Sequence, residues 1–157
     1  FDLGQKSPGM LEGWAEQNHD RYESDYVNSM NNYANRLSDM GQNEKAIEFG
    51  QKSLDIYERL AEQNPDRYES DYANSLSNYA CHLSDMGQNE QAIEFGQKSL
   101  GIFERLAEQN PDRYESDYAN SLNNYANRLS YLGQNEHAIE FAQKSRDSCE
   151  RLMKQNP

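Results

Sequence analysis

The chain has 157 residues, of which 35% are hydrophobic, and its mean hydropathy of -1.15 is too polar for one compact core. Its 27 acidic residues outnumber its 15 basic residues and give a formal net charge of -12, which disfavours nucleic acid and anionic membrane surfaces as partners. No apolar run approaches the roughly 18 residues of a membrane-spanning helix, and two cysteines form no disulfide framework. We therefore expect a cytoplasmic protein whose sequence is part of a longer chain.

The sequence repeats itself with a period of 46 residues. Residues 21–66 are identical to residues 67–112 at 38 of 46 positions, and the third copy matches the second at 32 of the 45 positions that can be compared. A fixed period of this size is typical of a solenoid, in which each unit buries its apolar face against its neighbours. We predict three units, residues 21–66, 67–112 and 113–157. Residues 1–20 are predicted to end an earlier unit, because residues 4–7 repeat residues 50–53.

Each unit begins with an amphipathic pattern, which we name helix A. In the second unit it runs to about Met86, and Gly87 is suited to end it in a left-handed conformation. The apolar residues recur at spacings of mostly three and four, which places them on one stripe of a 3.6-residue helix. We expect this stripe to be buried, and in the second unit it consists of Tyr68, Tyr72, Leu76, Tyr79, Ala80 and Leu83.

A second pattern, helix B, completes each unit. Asn89 is its predicted N-cap, and Glu90 lies in its first turn. Asn110 ends it, and the next helix A begins either at once with Pro111 or after a turn near Ser116. Because helices A and B alternate along the whole repeat, the predicted fold class is all-α. The connections between them are short, so neighbouring helices should be antiparallel. The residues of helix B predicted to face the core are Ala92, Ile93, Gly96, Leu100, Phe103, Leu106 and Ala107.

The stretch SNYACHLSDMGQNEQAIEFGQKSL, residues 77–100, resembles the tetratricopeptide repeat. The resemblance rests on Tyr79-Ala80, Leu83, Gly87 and Ala92, and it extends over residues 21–157. It implies an α-solenoid of antiparallel helix pairs with a right-handed superhelix. The units are longer than the usual repeat of about 34 residues and are similar to those of kinesin light chains and of bacterial signalling proteins.

Two positions of helix B depart from the family pattern. The position that is often aromatic in the family is occupied by Gly50, Gly96 and Ala142. The second position lies three residues further along the helix. The family has alanine there, and this chain has Ser53, Ser99 and Ser145. We expect close packing between helices across these small residues.

No group of residues stands out as a catalytic or metal site. The histidines do not recur between units, and His82 aligns with two arginines, so we interpret His19, His82 and His137 as surface residues. Recurring carboxylates such as Glu69 are interpreted as a solubilising coat. A disulfide between Cys81 and Cys149 is not expected. We predict no enzymatic activity, no cofactor and no bound metal.

The polar face of the A helices, opposite the apolar stripe, is rich in asparagine, and we name it the asparagine wall. Asparagine is roughly 0.6 kcal/mol less favourable than alanine within a helix, so its repetition invites a functional reason. The wall consists of three matching sets: Asn28, Asn31, Asn35 and Ser38; Asn74, Ser77, Cys81 and Ser84; Asn120, Asn123, Asn127 and Ser130. Flanking positions are occupied by Asn32, Asn78 and Asn124.

The resemblance implies that this wall lines a concave groove, in which side-chain amides hold the main chain of an extended peptide. The resemblance therefore implies a protein-protein interaction module that binds a peptide or protein segment. In the alternative interpretation the asparagines are solvated filler, and the chain is a structural spacer or a solenoid that associates end to end with itself.

The last helix B differs from the other two. Arg146, Ser148 and Cys149 replace leucine, isoleucine and an aromatic residue at the equivalent positions. We expect these positions to contact a following helix A, so the changes predict a solvated cap. Packing of this helix on its own helix A is assigned to Ala138, Ile139, Phe141 and Leu152.

Overall fold

The computed structural model describes residues 8–156, with the side chains of residues 18, 19 and 21–156. Within this range all regular structure is helical, and helices that are consecutive in the chain pack on each other. This is the arrangement of an all-α solenoid. The A helices are α1 Pro8–Asp39, α3 Pro65–Asp85 and α5 Pro111–Tyr131, and the B helices are α2 Asn43–Gln63, α4 Asn89–Gln109 and α6 Asn135–Gln155.

A glycine in the left-handed conformation ends each A helix, as predicted. Gly87 has a φ of 75°, a conformation that costs glycine little because it has no Cβ. Its N–H donates to the carbonyl of Ser84 at 2.9 Å, and the N–H of Gln88 donates to the carbonyl of Leu83 at 2.9 Å. This pair of hydrogen bonds is the Schellman motif, which satisfies carbonyl groups at the end of the helix.

The prediction that Asn89 is the N-cap of helix B is wrong by one residue. Helix α4 begins at Asn89, and Gln88 is the N-cap, although its side chain makes no capping hydrogen bond. The reason is that the Gln88 carbonyl already accepts the first helical hydrogen bond, from the N–H of Ala92 at 3.0 Å. The connection between α3 and α4 therefore consists only of Met86, Gly87 and Gln88.

The next helix A begins at once, because Pro65 and Pro111 are the first residues of α3 and α5. Proline is suited to this position since its missing N–H would have no helical partner. At the equivalent place in α1 the chain has His19, and the helix continues through it without a break. The predicted boundary at residue 20 thus falls inside α1, while residues 1–7 of the predicted first segment lie outside the described residues.

The predicted apolar stripes form the core. In α3, Tyr68, Leu76, Tyr79, Ala80 and Leu83 are buried, and Tyr72 is half-buried. Residues of both neighbouring B helices complete this cluster, including Leu54 of α2 and Ala92 of α4. Helix α3 is thus packed between α2 and α4, and α5 is packed between α4 and α6. Edge-to-face aromatic pairs join helix A to its own helix B in every unit: Tyr33 with Phe49, Tyr79 with Phe95 and Tyr125 with Phe141.

The small residues of helix B do permit close packing, and the partner is the following helix A. A Cβ placed on Gly50 would lie 3.2 Å from Cδ2 of Tyr79 and 3.3 Å from Cδ2 of His82, both in α3. A Cβ on Gly96 would lie 3.1 Å from Nη1 of Arg128 in α5. The interpretation of all three histidines as surface residues is therefore wrong for His82, which is only 4% exposed.

The serines that replace the family's alanine are buried and cross-link neighbouring helices. Ser99 Oγ donates to the carbonyl of Ala73 at 2.8 Å, and Ser145 Oγ donates to the carbonyl of Ala119 at 2.9 Å. Ser53, at the equivalent position of α2, is fully buried but has no hydrogen-bond partner for its hydroxyl among the described residues.

One of the recurring carboxylates is structural in every unit, contrary to the expectation of a solubilising coat. Glu69 of α3 pairs with Arg105 of α4, and Glu23 pairs with Arg59 in the same way. In the third unit Arg151 Nη2 lies 2.8 Å from Glu115 Oε1, which also accepts a hydrogen bond from Ser148. Each pair joins helix A to helix B of one unit.

The cap prediction is correct in part. Arg146 and Cys149 are exposed, but Ser148 is fully buried because this position faces the unit's own helix A, where its hydroxyl donates to Glu115. The assignment of Ile139 to intra-unit packing is also wrong, since this side chain is 60% exposed. Its equivalent Ile93 packs against residues of the following helix A. Ala138 is buried, and Phe141 and Leu152 are half-buried, as expected.

Candidate functional site

The asparagine wall lies at the surface. From the wall and its flank, nine residues are assigned to the predicted peptide groove. Five of them are exposed, namely Asn28, Asn74, Asn120, Asn123 and Asn127. The other four are half-buried, namely Asn31, Asn35, Ser77 and Asn78. Because none of them belongs to the packed core, their side chains are not needed to fill space between helices.

Contacts between successive A helices pass along the wall. Ser38 Oγ of α1 donates to Asp85 Oδ2 of α3 at 2.9 Å. Nη2 of Arg128 in α5 donates to the carbonyl of Ser77 at 3.2 Å and to Sγ of Cys81 at 3.0 Å, both in α3. The wall is therefore continuous from one unit to the next rather than three separate patches.

A cleft of about 180 Å³ opens between α3 and α5 on this surface. Four of its lining residues belong to the predicted wall or its flank, namely Cys81, Ser84, Asn124 and Asn127. The other three were missed by the sequence interpretation, namely Asp85, Arg128 and Tyr131. A signal for Tyr131 was present, because the two other units have aspartate at this position.

Most of the wall's hydrogen-bonding capacity is unused inside the protein. Among its asparagines Asn28 is the exception, because its Oδ1 accepts a hydrogen bond from the hydroxyl of Tyr57 at 3.0 Å. Burial, together with the charges of Asp71 and Tyr68, raises the pKa of Tyr57 to about 12, so this phenol stays protonated at neutral pH. In the described part of the chain, no hydrogen bond engages the side-chain amides of Asn74, Asn120 or Asn127.

The cleft also contains a hydroxyl group without a partner. Ser84 Oγ is shielded from solvent and makes no hydrogen bond to any described residue. A buried polar atom without a partner costs roughly 1 to 3 kcal/mol, and this cost disappears when a ligand supplies one. Ser84 Oγ shares this state with the hydroxyls of Ser53 and Ser75 and with the imidazole of His82.

The described residues offer little for other kinds of chemistry. Among the described side chains, those of residues 18, 19 and 21–156, no cluster of three or more histidines, cysteines, aspartates or glutamates could hold a metal ion. Both cysteines are free thiols at the surface. Among the described helices, none is long and apolar enough to cross a membrane.

The pattern of helix pairs matches a known family. The tetratricopeptide repeat model matches residues 27–66 and 119–157, which together make up half of the chain. The chain belongs to the tetratricopeptide repeat family. Its tetratricopeptide repeat fold is similar to the crystal structure of the TPR domain of Arabidopsis FLU, with a TM-score of 0.65 and 17% sequence identity. The similarity covers 82% of this chain and 98% of that one. No curated protein matches the sequence.

Tetratricopeptide repeats generally mediate protein-protein interaction.

Proposed function

We propose that this tetratricopeptide repeat protein is a binding module that holds an extended peptide or protein segment along the asparagine wall. The observation that carries the proposal is the row of side-chain amides on successive A helices that is left without internal hydrogen bonds, above all Asn74, Asn120 and Asn127. A side-chain amide donates and accepts at once, which matches the donor and acceptor that each residue of an extended peptide presents.

The spacing of the wall supports a ligand that spans several units. Equivalent asparagines recur on successive A helices, and Arg128 and Ser38 tie these helices together at the surface. An extended segment that crosses α3 and α5 would meet the cleft near Asn127 and the wall near Asn74. The partnerless hydroxyl of Ser84 lies in that cleft.

The charges around the wall favour a neutral or basic segment over an acidic one. All lysines of the described chain lie on B helices, namely Lys45, Lys52, Lys98, Lys144 and Lys154. The A helices expose aspartates, including Asp25, Asp71 and Asp85, alongside a smaller number of arginines such as Arg36 and Arg67. The guanidinium of Arg128 is nearly buried and bonded to α3, so it is not free to pair with a peptide carboxylate.

The proposal is tested with peptides selected from a random display library against the whole chain. The triple variant Asn74→Ala, Asn120→Ala and Asn127→Ala should bind a selected peptide at least about tenfold more weakly, a loss of about 1.4 kcal/mol from a micromolar interaction. Its helicity should equal that of the parent. The matched control replaces exposed glutamines of the B helices, Gln91, Gln97 and Gln143, by alanine.

Equal affinity of parent and asparagine variant would contradict the proposal and favour a structural spacer. The same conclusion would follow if no library peptide were retained. Weaker binding by the glutamine variant would instead move the binding surface to the B helices.

A further inference from the structure

A groove that is open to solvent lies between the B helices α2 and α4, and we name it the B-helix groove. Both helices pack on α3 but hardly on each other, so part of α3 is exposed between them. The groove consists of two adjoining cavities of about 220 and 320 Å³, which share Tyr72 of α3 and Ile102 of α4. None of its lining residues belongs to the asparagine wall, so it is a second candidate surface.

The floor of the B-helix groove is apolar and is held in place by the core. Tyr72 and Ile102 are half-buried, and each packs against two core clusters. Ala61 of α2, which is also half-buried, lines the smaller cavity beside them. The floor therefore offers an apolar surface to the aliphatic part of a ligand side chain.

Two carboxylates of α2 border the smaller cavity, and neither is neutralised within the described part of the chain. Glu58 and Glu62 lie one helical turn apart, both are exposed, and neither forms an ion pair with a described residue. Burial raises the pKa of Tyr72, and the charges of Glu58, Glu62 and Asp55 raise it further. These carboxylates are therefore close enough to act on the phenol at the floor of the groove.

The cations that line the B-helix groove are already engaged. Arg105 of α4 pairs with Glu69, and Nζ of Lys98 lies 5.3 Å from the centre of the Phe95 ring. The unpaired charge of the groove is thus negative and lies on the α2 side. It favours a ligand with a positively charged group at that side over an acidic or neutral ligand.

The equivalent place between α4 and α6 has the same carboxylates but a closed floor. Glu104 and Glu108 of α4 repeat the two carboxylates, and both are exposed. The two floor positions contributed by the B helices are occupied by Ala107 and Ser148, and both are buried. The molecule therefore contains one acidic pair beside an open apolar floor and a second acidic pair without one.

We propose that the B-helix groove docks a basic segment of a partner protein, with one arginine side chain lying on Tyr72 and Ile102 and its guanidinium between Glu58 and Glu62. Arginine fits both parts of the groove, because its aliphatic stem can cover the apolar floor while its planar group donates to two carboxylates. The formal net charge of -12 draws such a segment towards the protein. This docking does not require a ligand on the asparagine wall.

Fluorescence anisotropy of a labelled peptide of arginine, glycine and serine measures this binding at physiological salt. A second peptide, in which citrulline replaces every arginine, keeps the shape of the side chain but removes its charge. The test variant is Glu58→Gln with Glu62→Gln. The matched control is Glu104→Gln with Glu108→Gln, which removes the same charge from the same positions of the next B helix, where the floor is closed.

We expect the parent chain to bind the arginine peptide and not its citrulline counterpart. The test variant should bind at least about fivefold more weakly, the scale expected for two partly exposed ion pairs, and the matched control should stay within about twofold of the parent. The triple asparagine variant described above should bind the arginine peptide as tightly as the parent. Failure of this proposal and failure of binding at the asparagine wall are therefore separate results.

Equal weakening in the two glutamate variants would show a general attraction to an acidic protein and would overturn the proposal. It would also be overturned if the citrulline peptide bound as tightly as the arginine peptide, if the parent retained neither peptide, or if only the asparagine variant lost binding. Circular dichroism should show the parent's helicity in every glutamate variant, because the substituted residues are exposed.

Discussion

Gly50 of α2 lies directly against His82 of α3, and a Cβ on the glycine would be only 3.3 Å from Cδ2 of the imidazole. The same positions in the next unit bring Gly96 against Arg128, with the Cβ position 3.1 Å from Nη1. In both units a small residue on helix B makes room for a large polar side chain on the following helix A. The arginine has hydrogen-bond partners in α3, whereas neither ring nitrogen of His82 has one among the described residues.

His82 should make the stability of the protein depend on pH. Burial lowers the pKa of His82 from its usual 6.5, and the opposing charges of Asp85 and Asp39 do not cancel this effect. The unfolded chain therefore takes up a proton at a higher pH than the folded chain. The contribution of His82 to stability should be complete above the ordinary histidine pKa of 6.5, and it should be lost as the pH falls from there through the lowered pKa of the folded state.

Urea unfolding at several pH values checks this expectation. His82→Gln should flatten the dependence in that range, while His137→Gln, at an exposed histidine, should leave it unchanged. An equally steep dependence in the His82 variant would show that another group is responsible.

The two buried serines Ser99 and Ser53 should respond differently to replacement by alanine. Ser99→Ala removes a hydrogen bond to the carbonyl of Ala73, and a net loss of about 0.5 to 1.5 kcal/mol is expected. Ser53→Ala removes a hydroxyl without a partner and adds a better helix former, so it should be neutral or stabilising. Thermal unfolding of the two variants gives the comparison, and equal effects would contradict it.

The apolar stripe should contribute a large part of the stability at its central position. Leu83 is 1% exposed, and Leu83→Ala should reduce the free energy of unfolding by about 2 to 5 kcal/mol. The same change at Leu37, in the first unit, should cost less, because α1 has only one covering B helix among the described residues. Chemical unfolding of both variants tests the order. A change of a few tenths of a kcal/mol at Leu83 would contradict the assignment of this residue to the core.

The exposed end of α6 should keep the protein from associating with itself. Arg146 and Cys149 occupy positions that are leucine and an aromatic residue in the other units, and both are exposed here. Arg146→Leu with Cys149→Phe should create an apolar surface next to the exposed Ile139 and cause end-to-end association. Light scattering over a range of concentrations measures it, with Arg146→Gln and Cys149→Ser as the control. A variant that stays at the parent's size would show that these substitutions do not define a cap.

The sequence predicted the helices, their order and most of the core because these depend on local spacing and on the period of 46 residues. It was misleading where a position faces a neighbouring unit. His82 looked like a solvated residue because its equivalents are arginines, and only the packing of α2 on α3 shows that this position is buried. Ile139 looked like core because the equivalent isoleucines are covered by the next helix A. Ser148 was expected to contact a following helix A because it replaces isoleucine. Only the structure shows that this position faces the helix A of its own unit.

The asparagines of the candidate site could be predicted from the sequence, whereas the other residues that line the cleft could not. The asparagines were found from their repetition on one helix face, and the structure leaves them exposed or half-buried. The contributions of Asp85, Arg128 and Tyr131 depend on the distance between α3 and α5, which the period alone does not define.

The measurement that tests the proposed binding surface most directly is nuclear magnetic resonance of the side-chain amide groups during titration with a selected peptide. The resonances of Asn74, Asn120 and Asn127 should shift with a common dissociation constant, and those of Gln91, Gln97 and Gln143 on the B helices should not. Shifts confined to the glutamines, or to the junctions between units, would contradict binding along the asparagine wall.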